Sequence, residues 1–255
     1  MIDKWSITIP ELSGDEPRNV YVYLPDCAED DPELRFPVLY MFDGHNVFFD
    51  EDATYGKSWG MQEFAEDNAL PLIIAAVECT HDPNNGRLSE YSPFSFSDAT
   101  FGRVKGRGRE TMEWFIHSFK PMIDENYPTL PDREHSFIAG SSMGGLMSLY
   151  AVTEYNAVFS RAAALSPSLW AASGRFDRML READIAPGTV VYMDYGENEL
   201  SNHPDMIRRF SHVASILMER GIMLNCRIVP GGDHCEASWE RQIPFFMDTL
   251  FYGLE

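Results

Sequence analysis

Gly140-Ser141-Ser142-Met143-Gly144 sets a serine between two glycines, each two positions away. A serine hydroxyl is a poor nucleophile until a base takes its proton during attack. The flanking residues predict a turn that would present it. Ser136 to Ala139 is an apolar run that reads as a buried strand, and Leu146 to Ala151 reads as a helix. Strand, sharp turn and helix is the context of a nucleophile elbow, with Ser142 at its tip. Side chains at 140 and 144 would collide as the two limbs approach. A helix beginning near Met143 aims unpaired N–H groups, and the positive end of its dipole, at any anion formed beside Ser142. Taken alone, the pentapeptide also fits a plain glycine-rich turn. It gains weight only if an acid and a histidine follow at the ends of later strands.

Both follow. A predicted strand over 189–193 runs into Asp194-Tyr195-Gly196-Glu197-Asn198-Glu199, and one over 224–229 runs into Pro230-Gly231-Gly232-Asp233-His234. Open parallel sheets bind ligands at the carboxyl ends of their strands, and the order Ser, Asp/Glu, His is that of the α/β-hydrolase fold. His117 and His212 fall in predicted helices, and His81, His135 and His203 have no strand-end partner. His234 stands in the last strand-end loop. Its Nε2 would take the serine proton, while a carboxylate on Nδ1 fixes the tautomer and stabilises the imidazolium. Asp194, Glu197 and Glu199 all compete for that role. The oxyanion needs two N–H donors. Met143, the residue after the nucleophile, supplies one; the loop after the strand at 37–42, which contains His45, should supply the other.

The elements that must position these groups alternate along the chain. Trp5–Ile9 and Asn19–Leu24 alternate polar and apolar and pair as antiparallel neighbours. Residues 37–42 and 72–77 are apolar throughout, as suits central parallel strands covered on both faces, and 162–167 reads as a further buried strand. Helices are predicted over 59–66, 112–123 (bent at Pro121), 176–180, 206–217 and 239–250. The polar segment 80–108 is too long for a plain connector. The whole, residues 1–255, is expected to form one α/β domain with a mostly parallel sheet of about eight strands and helices on both faces. Few residues separate the strands at 162–167 and 189–193, so no large cap domain is expected and the site should be open.

Composition narrows the partners. The chain has 255 residues, 44% hydrophobic, with 20 basic against 40 acidic side chains and a net charge of −20. That balance argues against nucleic acid or an anionic membrane as partner. No apolar run approaches a transmembrane length and no signal sequence is seen at the start. Cys27, Cys79, Cys226 and Cys235 show no metal-binding spacing, so free thiols, no metal and a cytoplasmic location are expected. Nothing in the sequence calls for a cofactor, and the oligomeric state is left open.

Seven segments together resemble the esterase D, feruloyl esterase and enterochelin esterase branch of the α/β hydrolases. They are Tyr40-Met41-Phe42-Asp43-Gly44-His45-Asn46, Ser58-Trp59-Gly60, Glu90-Tyr91-Ser92-Pro93-Phe94, Gly140 to Gly145, Leu165-Ser166-Pro167-Ser168-Leu169-Trp170, Gly196-Glu197-Asn198-Glu199 and Gly231-Gly232-Asp233-His234. The resemblance implies a serine carboxylesterase acting on a small-molecule ester, and it points to Glu199 as the acid, the last residue of a Gly-x-Asn-Asp/Glu segment. Similarity of Asp43-Gly44-His45 to the mycolyl transferases implies the backbone N–H of His45 as the second oxyanion donor. Trp59, Tyr91 and Trp170 are candidate pocket walls for an aryl, sugar or acyl group. An acyltransferase using the same triad, a siderophore trilactone esterase served by the basic cluster Arg103, Lys105, Arg107 and Arg109, and a non-catalytic binding module are the competing readings.

Overall fold

The computed structural model describes residues 1–203 and 205–254. Its strands are β1 (Ile2–Thr8), β2 (Pro17–Tyr23), β3 (Val38–Phe42), β4 (Ile73–Val77) and β5 (Phe96–Asp98). They continue with β6 (Gly102–Val104), β7 (Ser136–Ser141), β8 (Arg161–Leu165), β9 (Val190–Gly196) and β10 (Met223–Val229). Eight of them form one sheet in the order β1-β2-β4-β3-β7-β8-β9-β10. Only β2 runs against the rest, pairing antiparallel with both β1 and β4. The fold is that of an α/β hydrolase, a mostly parallel sheet with helices on both faces.

Burial explains the pattern of the strands. β3, β4, β7 and β8 are buried at every position, because helices cover both sides and neither face meets water. Tyr40, Phe42, Ile138 and Ala164 join one apolar layer, while their neighbours Leu39, Met41, Phe137 and Ala163 join the other. The outer strand β1 alternates, as its sequence predicts. β10 closes the other edge, its register with β9 pairing Val229 with Gly196. That pairing brings the two acid- and histidine-bearing loops to the same end of the sheet as the turn after β7.

The structure refines several expectations. The helix predicted at 112–123 spans Gly108 to Asn126, and where a bend is expected a π-helical turn, Phe115–Phe119, lies just before Pro121. Proline has no N–H for the carbonyl four residues back, and the wider turn absorbs the mismatch. The closing helix is two, Glu236–Glu240 and Ile243–Leu250, with Pro244 in the first turn of the second. The segment at 80–108 holds a one-turn helix, Gly86–Glu90, and the hairpin β5–β6. Between β8 and β9 lies a single helix, Ser173–Glu182, and no cap.

Close approach of backbone is tightest at the elbow. A Cβ on Gly140 would lie 2.8 Å from the carbonyl carbon of Gly144, with no side chain there to move aside. Gly140→Ala is expected to destabilise the fold by about 1–3 kcal/mol. In a thermal melt that should lower Tm by several degrees at this chain length, and an unchanged Tm would contradict the packing described.

Candidate active site

Ser142 joins β7 to the helix Met143–Glu154 with φ 58° and ψ −119°. A non-glycine residue held there costs of order 1–3 kcal/mol and persists only where its surroundings over-determine it. Here they do. The Ser142 N–H donates to the Leu165 carbonyl (2.9 Å), and its carbonyl accepts from the N–H groups of Ser168 (2.9 Å) and Leu146 (3.1 Å). Its hydroxyl Oγ lies 3.4 Å from Ser168 Oγ. Met143 begins the helix, where an N–H has no intrahelical acceptor.

Glu199 lies in the first turn of the helix Glu197–Asn202, which follows β9 directly. Its Oε2 lies 2.6 Å from His234 Nδ1. Its Oε1 accepts from the Ser166 hydroxyl (2.6 Å) and the Gly196 N–H (2.9 Å). Ser166 Oγ in turn accepts from Trp239 Nε1 at 3.1 Å, and the Trp239 ring stands edge-on to the His234 imidazole, centroids 5.0 Å apart. Burial alone would raise the Glu199 carboxyl, but the bonds from His234 and Ser166 outweigh it and hold the group below its ordinary range. Glu199 is thus an ionised acceptor. His234 is half exposed, its side chain 48% accessible against 10% for Glu199.

The two rival acids have other occupations. Asp194 lies buried within β9, its Oδ1 accepting from the Ser166 N–H (3.1 Å) and its Oδ2 from the Tyr192 hydroxyl (2.8 Å). Burial, with the Glu199 charge added, pushes its carboxyl up to about 7. Glu197 accepts from the Gly231 N–H (3.0 Å) at the surface. Among the described residues, Glu199 is the carboxylate bonded to His234. Ser166 and Trp239 are the supporting residues that sequence reasoning did not single out. The Leu165-Ser166-Pro167 junction after β8 was the available signal, but it does not say which carboxylate the hydroxyl reaches.

A cavity of about 620 Å³ opens beside His234, with Ser168 and Glu199 also in its lining. Trp170 forms one wall, stacked at 5.9 Å on Phe101 and edge-on to Phe96 at 5.5 Å, so the β5–β6 hairpin supplies part of the pocket. The other two proposed walls lie elsewhere. Trp59 is in the core against Trp239 and Phe246, and its N–H donates to the Asn46 carbonyl (2.8 Å). Tyr91 is buried against Phe42 and accepts from the Asp43 N–H (3.2 Å). Both rings pack inward, and the Tyr91 hydroxyl and the Trp59 backbone N–H brace the loop at 43–46. The His45 imidazole turns to Thr54, Nε2 to Oγ1 at 3.0 Å. A larger space of about 780 Å³, lined by Tyr150, Arg175 and Glu182 among others, holds none of these groups. Among the described residues no cluster of three or more His, Cys, Asp or Glu could hold a metal, and no helix is long and apolar enough to cross a membrane.

The family described as "Putative esterase" matches residues 13–246, and the chain belongs to it. It is a carboxylic ester hydrolase. It is 27% identical over 212 residues to the uncharacterized protein YbbA of Bacillus subtilis (strain 168), covering 80% of this chain and 79% of that one. A ferulic acid esterase structure superposes with a TM-score of 0.67 at 18% identity, covering 98% of this chain and 97% of that one. The enterobactin esterase FES from Shigella flexneri superposes with a TM-score of 0.72 at 17% identity, covering 100% of this chain and 60% of that one. These likenesses extend to the fold.

The raised Asp194 carboxyl gives a stability signature. The folded state keeps its proton to about 7, whereas the unfolded chain releases it near pH 4. Between those values the folded state binds more protons, so this group's contribution falls as pH rises from about 4 to about 7. Denaturant melts across that window should show a shallower decline for Asp194→Asn than for wild type; parallel declines would refute the assignment.

Proposed function

We propose that the chain is a serine carboxylesterase working through an acyl-enzyme, with Ser142 as nucleophile, His234 as general base and Glu199 as the triad acid. The observation that carries this reading is the 2.6 Å bond from Glu199 to His234 Nδ1. With Nδ1 so engaged, Nε2 is the nitrogen left to act, and His234 shares its cavity with Ser168, whose hydroxyl neighbours that of Ser142.

Ser142 Oγ attacks the ester carbonyl carbon while His234 Nε2 takes its proton. The carbonyl electrons move to oxygen, and the backbone N–H groups of Met143 and His45 meet the resulting charge. Collapse breaks the bond to the alcohol, which receives the proton from the imidazolium. Water then repeats the sequence on the acyl-enzyme and frees the acid. Glu199 stabilises the imidazolium throughout, its other oxygen held by Ser166 and Gly196. A fluorophosphonate probe should label wild type and not Ser142→Ala. The same variant should lose at least ~10⁴-fold in turnover of a short aryl ester, and retention of a hundredth of the activity would remove Ser142 from the mechanism.

The cavity favours an uncharged aromatic ester. Trp170 and Phe101 offer apolar faces, while Asp98, Glu199 and Asp233 bring carboxylates to the lining. Among the described residues no Lys or Arg lines it. Two members of the basic cluster are engaged elsewhere: Arg107 donates to the carbonyls of Leu12 and Glu11, and Arg109 faces Glu113 at 4.0 Å. Of the two substrate classes that the neighbours' names state, a ferulic acid ester suits this lining better than a polyanionic enterobactin. A neutral phenolic ester should exceed the same ester bearing a carboxylate on its ring by at least about tenfold in kcat/KM, with the gap narrowing in high salt. Equal rates, or a preference for the anion, would refute this.

A further inference from the structure

The loop after β3 is held from outside by one helical turn whose chemistry the triad does not use. Asp43 is buried and takes the left-handed conformation, φ 58° and ψ 53°, immediately before the turn Gly44–Asn46. Arg87 grips its carboxylate with a two-pronged bond, Nε to Oδ1 and Nη2 to Oδ2, both 2.7 Å. Tyr91, one turn further along and bonded through its own N–H to the Arg87 carbonyl (2.9 Å), accepts from the Asp43 N–H and lies under the guanidinium at 5.2 Å. The turn bearing both is itself pinned. Glu90 makes a buried paired bond to Arg18 (2.9 and 2.5 Å) and accepts from the Thr80 N–H (3.2 Å).

The place of that carboxylate makes its charge matter. A Cβ built on Gly144, in the first turn of the elbow helix, would lie 3.4 Å from Asp43 Oδ2. A full negative charge therefore sits against the helix end that is to receive a second one when the substrate carbonyl becomes an oxyanion. Two like charges near each other are opposed, the more so where one of them, as Asp43 is, lies buried. Arg87 removes the conflict. Burial would push the Asp43 carboxyl up, but the guanidinium beside it outweighs burial and keeps it ionised, as one half of a neutral pair.

We infer that Arg87 is a positioning residue for the oxyanion site: it cancels the charge of Asp43 and fixes the turn that presents the His45 N–H. The inference rests on the serine-esterase reading. It concerns the stability of the oxyanion and not ground-state binding, so its mark is a loss in kcat with little change in KM.

The test compares Arg87→Gln, the double variant Arg87→Gln/Asp43→Asn and Ser142→Ala with wild type on one neutral aryl ester. Arg87→Gln should lower kcat by about 10²-fold, the size of losing one oxyanion donor, with KM within threefold. Its affinity for an aryl trifluoromethyl ketone should fall by the same factor as kcat/KM. The double variant, which leaves no lone buried charge, should return to less than tenfold below wild type in kcat. A kcat for Arg87→Gln within threefold of wild type, or a double variant still tenfold or more below wild type, overturns the inference. Should Arg87→Gln fail to fold, the double variant decides by that same tenfold limit. If Ser142→Ala is dead while Arg87→Gln is unimpaired, only the role of Arg87 falls; if Ser142→Ala keeps full turnover, the serine reading falls and this inference with it.

Discussion

A left-handed serine between a buried strand and a helix is the constraint on which the site depends. Nothing in the local sequence favours φ 58° at Ser142, and the cost is met by what surrounds it. Leu165 on β8 and Ser168 beyond it clamp the residue's N–H and carbonyl. Gly140 lets backbone approach to a distance no side chain allows, and a Cβ on Gly145 would lie 3.0 Å from the Leu165 carbonyl oxygen. Strain of this kind survives in a rigid core because the neighbours cannot relax without losing their own contacts. Its consequence is functional: the hydroxyl is held out from the chain, ahead of the unpaired N–H groups of a helix.

Around that turn the protein sorts two carboxylates at the end of one strand. Asp194 and Glu199 are five residues apart, and Ser166 touches both, its N–H on Asp194 and its hydroxyl on Glu199. Burial drives Asp194 up to about 7, while hydrogen bonds from His234 and Ser166 hold Glu199 down. Environments that separate two acids in this way assign them different work. One is an ionised partner for an imidazole. The other is a buried acceptor near neutrality that stiffens the junction between β8 and β9.

The segment from 80 to 108 shows a second division of labour. Read as a polar loop, it carries both the inner brace of the site and its outer wall. Its first half, with Arg87, Glu90 and Tyr91, packs against β2 and the turn after β3. Its second half, the β5–β6 hairpin, sends Phe101 and Phe96 to Trp170 and closes one side of the cavity. With a single helix between β8 and β9, this hairpin does the part of the work that a cap would do.

Much of the fold was legible because it follows from local rules. Unbroken apolar runs at 37–42 and 72–77 suit covered strands, and alternation at 5–9 and 19–24 suits an outer pair. Ser142 and His234 stood out because glycine-flanked turns after strands are few. The acid was not settled by pattern: Asp194, Glu197 and Glu199 share six residues, and which one meets His234 depends on how the helix after β9 turns against the loop after β10. The fate of the aromatics was hidden for the same reason. Of Trp59, Tyr91 and Trp170, two pack inward and one faces the cavity, because contact partners 49 to 180 residues away decide the direction of a side chain. The sequence by itself determined the strands, the elbow and the end of the sheet where chemistry gathers, since these rest on periodicity and steric limits within a few residues. Tertiary structure alone decided that Arg87 faces Asp43, that Ser166 serves Glu199 and that a hairpin walls the pocket, since charge pairing and packing act across distances the chain order does not encode.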